Sequence, residues 1–260
     1  MSRTSRTAPL MLLLAAGAGS CTSVSTSPTQ PVAIEFDSLP FPAVVTGDTL
    51  RDSLGRAAPL HALAFNSSGA VIPAAVIGYV ALDTGVTVGA GGIVTAQVRN
   101  ASIRLIATIA GIQSVTRTLE VTRRPDSVVV TSSTDTTLPF SIPDSASRNV
   151  TAILGLKVTT KDTAGGILGT KGWIVSYQAF FHGAALARTD TSLASLWDTG
   201  ANITSVDTTK SDGTAGRRLR IRSTLLPTQP DSFIVIATIR YRGLPVRGSP
   251  VRFVIRTVPR

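Results

Sequence analysis

Ile103-Arg104-Leu105-Ile106-Ala107-Thr108-Ile109 is the stretch that decides the fold. In an extended chain Ile103, Leu105, Ala107 and Ile109 fall on one side, and Arg104 and Thr108 on the other. That is the period-two pattern of a strand with one buried face. Arg104 to Ile109 recurs as Ile234-Val235-Ile236-Ala237-Thr238-Ile239, with the same core-facing register. Upstream, Leu60 to Val71, with its Asn66-Ser67-Ser68-Gly69 turn cluster, corresponds to Leu156 to Ile167, with Asp162-Thr163-Ala164-Gly165. Two tandem copies of one all-β unit are therefore predicted. The offset between copies grows from 96 to 130, so the second holds about 34 extra residues, placed within 178–212.

Working outward, Val, Thr, Ser, Ala and Gly dominate, and short apolar stretches alternate with Gly, Pro, Asp and Asn, a composition of many short strands. The first unit, 31–123, opens at Val32-Ala33-Ile34-Glu35-Phe36 and closes with Leu119 and Val121. Arg123-Arg124-Pro125 marks the junction, and the second unit runs over 125–260. Both are long enough to bury a core without disulfides, which one cysteine cannot supply.

That cysteine, Cys21, closes Ala18-Gly19-Ser20-Cys21 after the apolar run Leu10 to Ala16, which itself follows Arg3 and Arg6. A basic start, a short apolar middle and small residues read as a secretory signal peptide over 1–20, with a run too short to span a bilayer permanently. The end of this segment resembles the lipobox of bacterial lipoproteins. The resemblance implies acylation of Cys21 and anchoring by lipid alone. Ala18 stands where the lipobox favours an aliphatic residue, and Ala16-Gly17-Ala18 is also a small-x-small site, so secretion after cleavage at Ala18 is the alternative. Residues 21–30 form a lipidated start and a Ser/Thr/Pro tether.

Gly47-Asp48-Thr49-Leu50 and the hairpin pattern VTVGAGGIVTA over Val86 to Ala96 resemble group-2 bacterial immunoglobulin-like domains, with Tyr79 where that family usually has Trp. The second unit, through Lys157-Val158-Thr159-Thr160-Lys161-Asp162, Val206-Asp207-Thr208-Thr209 and Ser211-Asp212-Gly213-Thr214-Ala215, is similar to the group-1, invasin-type domains. The resemblance implies two tandem Ig-like antiparallel β-sandwiches serving as spacer, stalk or adhesive module without catalytic machinery.

The residues themselves are poor in reactive groups, with two histidines and two glutamates. His61, between Leu60 and Ala62, reads as packed, and His182, between Phe181 and Gly183, as a loop residue. There is no Gly-x-Ser-x-Gly elbow. In Gly165 to Gly172 a threonine separates Gly169 from Lys171, which breaks phosphate-loop spacing. Asp198, Asp207 and Asp212 are spaced irregularly for a calcium loop and suit Asx turns. No enzyme, cofactor or metal is expected.

The formal charge is +10, from 25 Lys and Arg against 15 Asp and Glu. An export signal argues against nucleic acid and leaves anionic polysaccharide, lipopolysaccharide, cell-wall polymer or another envelope protein as partners. Strand alternation puts Arg218, Arg220 and Arg222 on one side, opposite Leu219 and Ile221. It places Arg240 with Arg242 opposite Tyr241, and Arg252 with Arg256 opposite Phe253 and Ile255. Sharing one sheet, these arginines would make a polyanion-binding face; otherwise they are solvated charge that blunts aggregation. Trp173, Tyr177, Phe180, Phe181 and Trp197 cluster around the insertion. Trp173 suits a sandwich core, while Phe180, Phe181 and Trp197 are candidate glycan contacts.

These readings converge on a non-enzymatic envelope lipoprotein, structural or adhesive, in the outer membrane because Thr22 is not the aspartate of inner-membrane retention. A carbohydrate-binding module and a secreted hydrolase with an unrecognised site are the alternatives.

Overall fold

The computed structural model describes residues 27–97, 101–188, 191–222 and 231–260. The signal segment, Cys21 and most of the tether lie outside the described residues. The first unit contains β1 (Ala33–Phe36), β2 (Ala43–Val45), β3 (Ala62–Phe65), β4 (Gly78–Ala81) and β5 (Val86–Val88). It continues with β6 (Val94–Ala96), β7 (Ala101–Ile109), β8 (Ile112–Gln113) and β9 (Arg117–Thr122). One sheet has the order β2-β9-β7-β4 with β8 on β7; facing it are the pairs β1-β3 and β5-β6.

The second unit begins with β10 (Ser127–Val130), β11 (Asp135–Phe140), β12 (Leu154–Lys161), β13 (Ile167–Gly169) and β14 (Ile174–Phe181). Then come β15 (Ala184–Ala185), β16 (Ala194–Trp197), β17 (Val206–Thr208) and β18 (Thr214–Ile221). The chain ends through β19 (Asp231–Thr238), β20 (Arg240–Tyr241), β21 (Leu244–Pro245) and β22 (Val251–Pro259). Sheets β10-β12-β18-β16 and β11-β22-β19-β14-β15 stack as a sandwich. The protein is thus all-β, two Ig-like sandwiches in tandem.

Two pairings depart from the antiparallel expectation, because β2 runs parallel to β9 and β11 parallel to β22. In each unit the entering chain starts in one sheet, as β1 on β3 or β10 on β12, and then crosses to the other. It keeps its direction as it crosses and so meets the last strand side by side.

The repeat read from the sequence has a structural counterpart. β7 lies between β4 and β9 as β19 lies between β14 and β22. Ile103, Leu105 and Ala107 are buried, as are Phe233, Val235 and Ala237. The glycines of the Val86 to Ala96 hairpin do what the turn requires, with φ of 74° at Gly91 and 79° at Gly92.

The paired turns are alike in atomic detail. Asn66 Oδ1 accepts the backbone N–H of Ser68 (3.1 Å) and Ala70 (3.0 Å), and Asp162 Oδ1 accepts those of Ala164 (2.9 Å) and Gly166 (2.6 Å). Each loop carries a left-handed glycine three residues after its Asx, Gly69 or Gly165. The turn after β16 repeats the design around Asp198, but the left-handed position is Ala201, at φ 63°. A side chain is disfavoured there. Ala201→Gly is therefore expected to stabilise the second sandwich by about 0.5 kcal/mol, net of glycine's larger unfolded-state entropy. Urea denaturation checks it, and a loss of stability would contradict the turn assignment.

The two sandwiches are joined by packing. Trp173, immediately before β14, is buried against Phe41 of the first unit, ring centroids 5.0 Å apart and edge-on, and lies 6.0 Å from the Tyr241 ring. Trp173 was expected inside the second sandwich. It is buried, but at the contact between units, since it precedes the strand and faces the segment leading into β2. Beside it, Asp48 is nearly buried. Its carboxylate accepts hydrogen bonds from Arg51 (3.0 Å), the Thr49 N–H (2.8 Å), the Tyr241 hydroxyl (3.0 Å) and Arg242 Nε (2.9 Å). Gly55, at φ 85°, brings the 52–56 turn so close to Arg242 and Gly243 that a Cβ there would overlap their backbone. The cavity left between these groups measures about 30 Å³, room for a water molecule or two and no more.

Candidate functional site

The arginines of the C-terminal segment do not form one face. Arg218 and Arg220 sit on β18, in the sheet with β12, whereas Arg252 and Arg256 sit on β22, in the opposite sheet. Arg240 and Arg242 belong to the β20–β21 hairpin. Arg220 is only 3% exposed. The segment ending at Thr151 runs along the far half of β18, pairing at Val150 and Arg220, and places Asp144 against the guanidinium (3.1 Å to Nη1). The Asn149 carbonyl accepts from the same guanidinium, which lies 5.8 Å over the Trp197 ring. Arg218 is half-buried, with a buried Nε. Arg222 is exposed and donates to the Thr191 carbonyl. Arg240 donates to the Gly243 carbonyl, Arg242 belongs to the Asp48 cluster, and Arg256 holds Asp135 with two nitrogens. Arg252 is exposed, and it helps hold the Asp135 carboxyl below its ordinary range, after the direct hydrogen bond from Arg256.

The aromatic candidates separate in the same way. Phe180 and Phe181 are successive residues of β14 and project to opposite faces. Phe181 stacks on Phe233 at 4.6 Å and on His182 at 4.0 Å, closing the rim of the core, while Phe180 lies half-buried beside Ile234. Trp197 is on β16 in the other sheet, its Nε1 donating to Ser195 Oγ at 2.9 Å. They make no common platform.

His61 is exposed, contrary to the packed position expected of it. Leu60 and Ala62 are the buried members of the alternation, which turns His61 outward, where Nδ1 meets Asp37 Oδ2. His182 occupies the turn after β14 at φ 48°, its Nε2 2.7 Å from Asp231 Oδ2. Asp198 and Asp212 serve as turn caps, and Asp207 pairs with the buried Arg217 at 3.0 Å. Among the described residues no group of three or more His, Cys, Asp or Glu is placed to hold a metal ion, and no helix is long and apolar enough to cross a membrane.

The arrangement with most chemical capacity was not anticipated. A cleft of about 400 Å³ opens between the units, lined by Ser102, Glu120 and Arg123 from the first and by Leu168, Lys171 and Ser211 from the second, among others. Lys171 Nζ donates to Glu120 Oε1 at 2.7 Å, and Ser102 Oγ donates to the same carboxylate at 2.8 Å. Arg123 Nε and Nη1 are buried with no hydrogen-bond partner among the described residues. Its neighbour Arg124 turns the other way, 5.8 Å over the Tyr241 ring. The pair Arg123-Arg124 reads in sequence only as a junction.

No protein-family model matches the chain, and no curated protein matches it in sequence. Solved structures with some similarity include domains 4 and 5 of the S-layer protein SbsC, at 13% identity and a TM-score of 0.29, covering 86% of this chain and 96% of that one. The Yersinia pseudotuberculosis adhesin InvE aligns at 11% identity and a TM-score of 0.31, over 86% of this chain and 57% of its own. An endo-fucoidan hydrolase, MfFcnA9, aligns at 14% and 0.30, over 84% of this chain and 32% of its own. At such values none of them bears on what this chain does.

Proposed function

We propose that the protein is a non-enzymatic cell-envelope module, exported, acylated at Cys21 and held to the outer membrane by lipid, which holds or displays its two sandwiches as one body in contact with anionic envelope polymers. The observation that carries this reading is the junction. Phe41, Trp173 and Tyr241 make an apolar bridge, Asp48 ties Arg51 to Arg242 across it, and the residual cavity is too small for a ligand. Flexibly linked domains do not need a buried, fully hydrogen-bonded carboxylate between them, because desolvating that charge is worthwhile only in a fixed geometry.

Nitrogen-15 relaxation of the exported chain, with Cys21→Ser to remove acylation, tests the structural part. One rotational correlation time for both sandwiches is expected, and two independent ones would sink it. Co-sedimentation with purified envelope fractions tests the adhesive part. Binding that weakens with ionic strength is expected, reduced further by Arg247→Ser with Arg252→Ser, two exposed arginines. Binding to no fraction would remove it. Lipid attachment predicts incorporation of labelled palmitate into the full chain and its loss in Cys21→Ser.

A further inference from the structure

We propose that two copies of the protein associate through β4, edge to edge and antiparallel, so that their first sandwiches share one continuous sheet. β4 is the outermost strand of β2-β9-β7-β4; β7 lies on one side of it, and no strand pairs with the other side among the described residues. Gly78 and Val80 stand opposite Thr108 and Ile106 on β7, and the N–H of Leu82, next in this alternation, donates to the Arg104 carbonyl at 2.8 Å. The backbone groups of Tyr79 and Ala81 therefore point the other way, out of the open edge.

An open edge is a template for pairing with another chain, and proteins usually guard it with charge, proline or a bulge. β4 carries no such guard. The 26 residues between Arg56 and Asp83 hold no Lys, Arg, Asp or Glu, whereas β11, the outermost strand of the second unit's larger sheet, carries Asp135 and Pro139. Ile77, Tyr79 and Ala81 pack on the core. That leaves Val76, Val80 and Leu82 on the outer side, 89%, 44% and 46% exposed. The occupant that fits this edge is its own copy. With Tyr79 and Ala81 supplying the outward hydrogen bonds, a two-fold axis through Val80 sets Tyr79 against Ala81, and Leu82 against Gly78, of the second copy. A large side chain meets a small one in both pairs, on the core-facing side and on the outer side. Val80 meets Val80 at the axis, and no charge lies between Gly78 and Leu82. The contact closes at two copies, because each uses its one β4 edge.

The test is sedimentation velocity of the exported chain carrying Cys21→Ser, which also removes the one thiol that could join two copies. Over a concentration series reaching about 500 μM, the mass is expected to rise from monomer to dimer and to stop there. Val80→Lys and Val80→Glu should each raise the dimer dissociation constant roughly tenfold or more, because two like charges then face each other at the axis. An equimolar mixture of the two variants should recover the dimer, since Lys now meets Glu. That recovery cannot come from a folding defect, and Val80 is exposed enough for unchanged urea midpoints to be expected in both variants. A wild type that stays monomeric throughout the series, growth beyond the dimer, or a dimer indifferent to Val80→Lys would each overturn the proposal. So would variants that lose the dimer singly and fail to regain it when mixed, because the axis would then lie elsewhere.

Discussion

Trp173→Ala is expected to cost about 3–5 kcal/mol and to split one unfolding transition into two. The side chain is 4% exposed, and its neighbours come from both units, Phe41 edge-on from the first and Tyr241 from the second. Truncation there leaves a large void whose walls belong to two bodies, and each body has its own sheets to fall back on. The void therefore closes by separation rather than by repacking. Urea denaturation followed by tryptophan fluorescence, which comes from Trp173 and Trp197 in the wild type and from Trp197 in the second sandwich alone in the variant, and by circular dichroism, which reports both sandwiches, should give coincident midpoints in the wild type and separate ones in the variant. Trp173→Phe should keep the transitions coincident at a smaller cost. It retains an aromatic face toward Phe41 and deletes an indole N–H that is buried without a partner among the described residues. If Trp173→Ala unfolds in one transition with only a small loss, the junction is not what couples the sandwiches.

The period-two alternation of residues 103–109, and its echo at 234–239, located the two equivalent central strands because a strand with one buried face has no other way to write itself. The Asx turns were legible for a similar reason: Asn or Asp followed by a left-handed glycine is a local solution that needs no distant partner. What was not legible depends on distant partners. Alternation marks Trp173 as buried but does not say against which body, and the residue it meets, Phe41, lies far upstream. Arg218 and Arg220 carry the pattern of a solvated face, yet Arg220 is closed off by Asp144, 76 positions away. The same pattern describes an arginine facing water and one facing a crossing segment. Arg123 reads as punctuation because nothing local reveals that two guanidinium nitrogens are left without acceptors among the described residues. His61 could have been placed correctly from the sequence, since buried Leu60 and Ala62 on either side leave it the outer position.

Asp48→Asn is expected to cost about 2 kcal/mol, less than the loss of a fully buried ion-pair partner, because Arg51 and Arg242 keep part of their hydration when the carboxylate charge is removed. Its pH dependence separates this cluster from the rest of the molecule. Burial alone would raise the Asp48 carboxyl, but hydrogen bonds from Arg242, Arg51, the Thr49 N–H and Tyr241 outweigh it and hold the group well below the usual carboxylate range. A carboxyl depressed in the folded state stabilises it fully above the unfolded value, about 3.9, and loses that contribution as pH falls through the lower folded one. The stability gap between wild type and Asp48→Asn should therefore be constant from roughly pH 5 to 8 and narrow steadily below about pH 4. Asp83, held at about 2 by Arg104, and the turn aspartates titrate in the same acid range. They are common to both proteins, so they cancel in the difference and leave the narrowing to Asp48. A gap that stays constant into strong acid would mean that the geometry of the side chain matters and its charge does not. The junction would then rest on Phe41 and Trp173 alone.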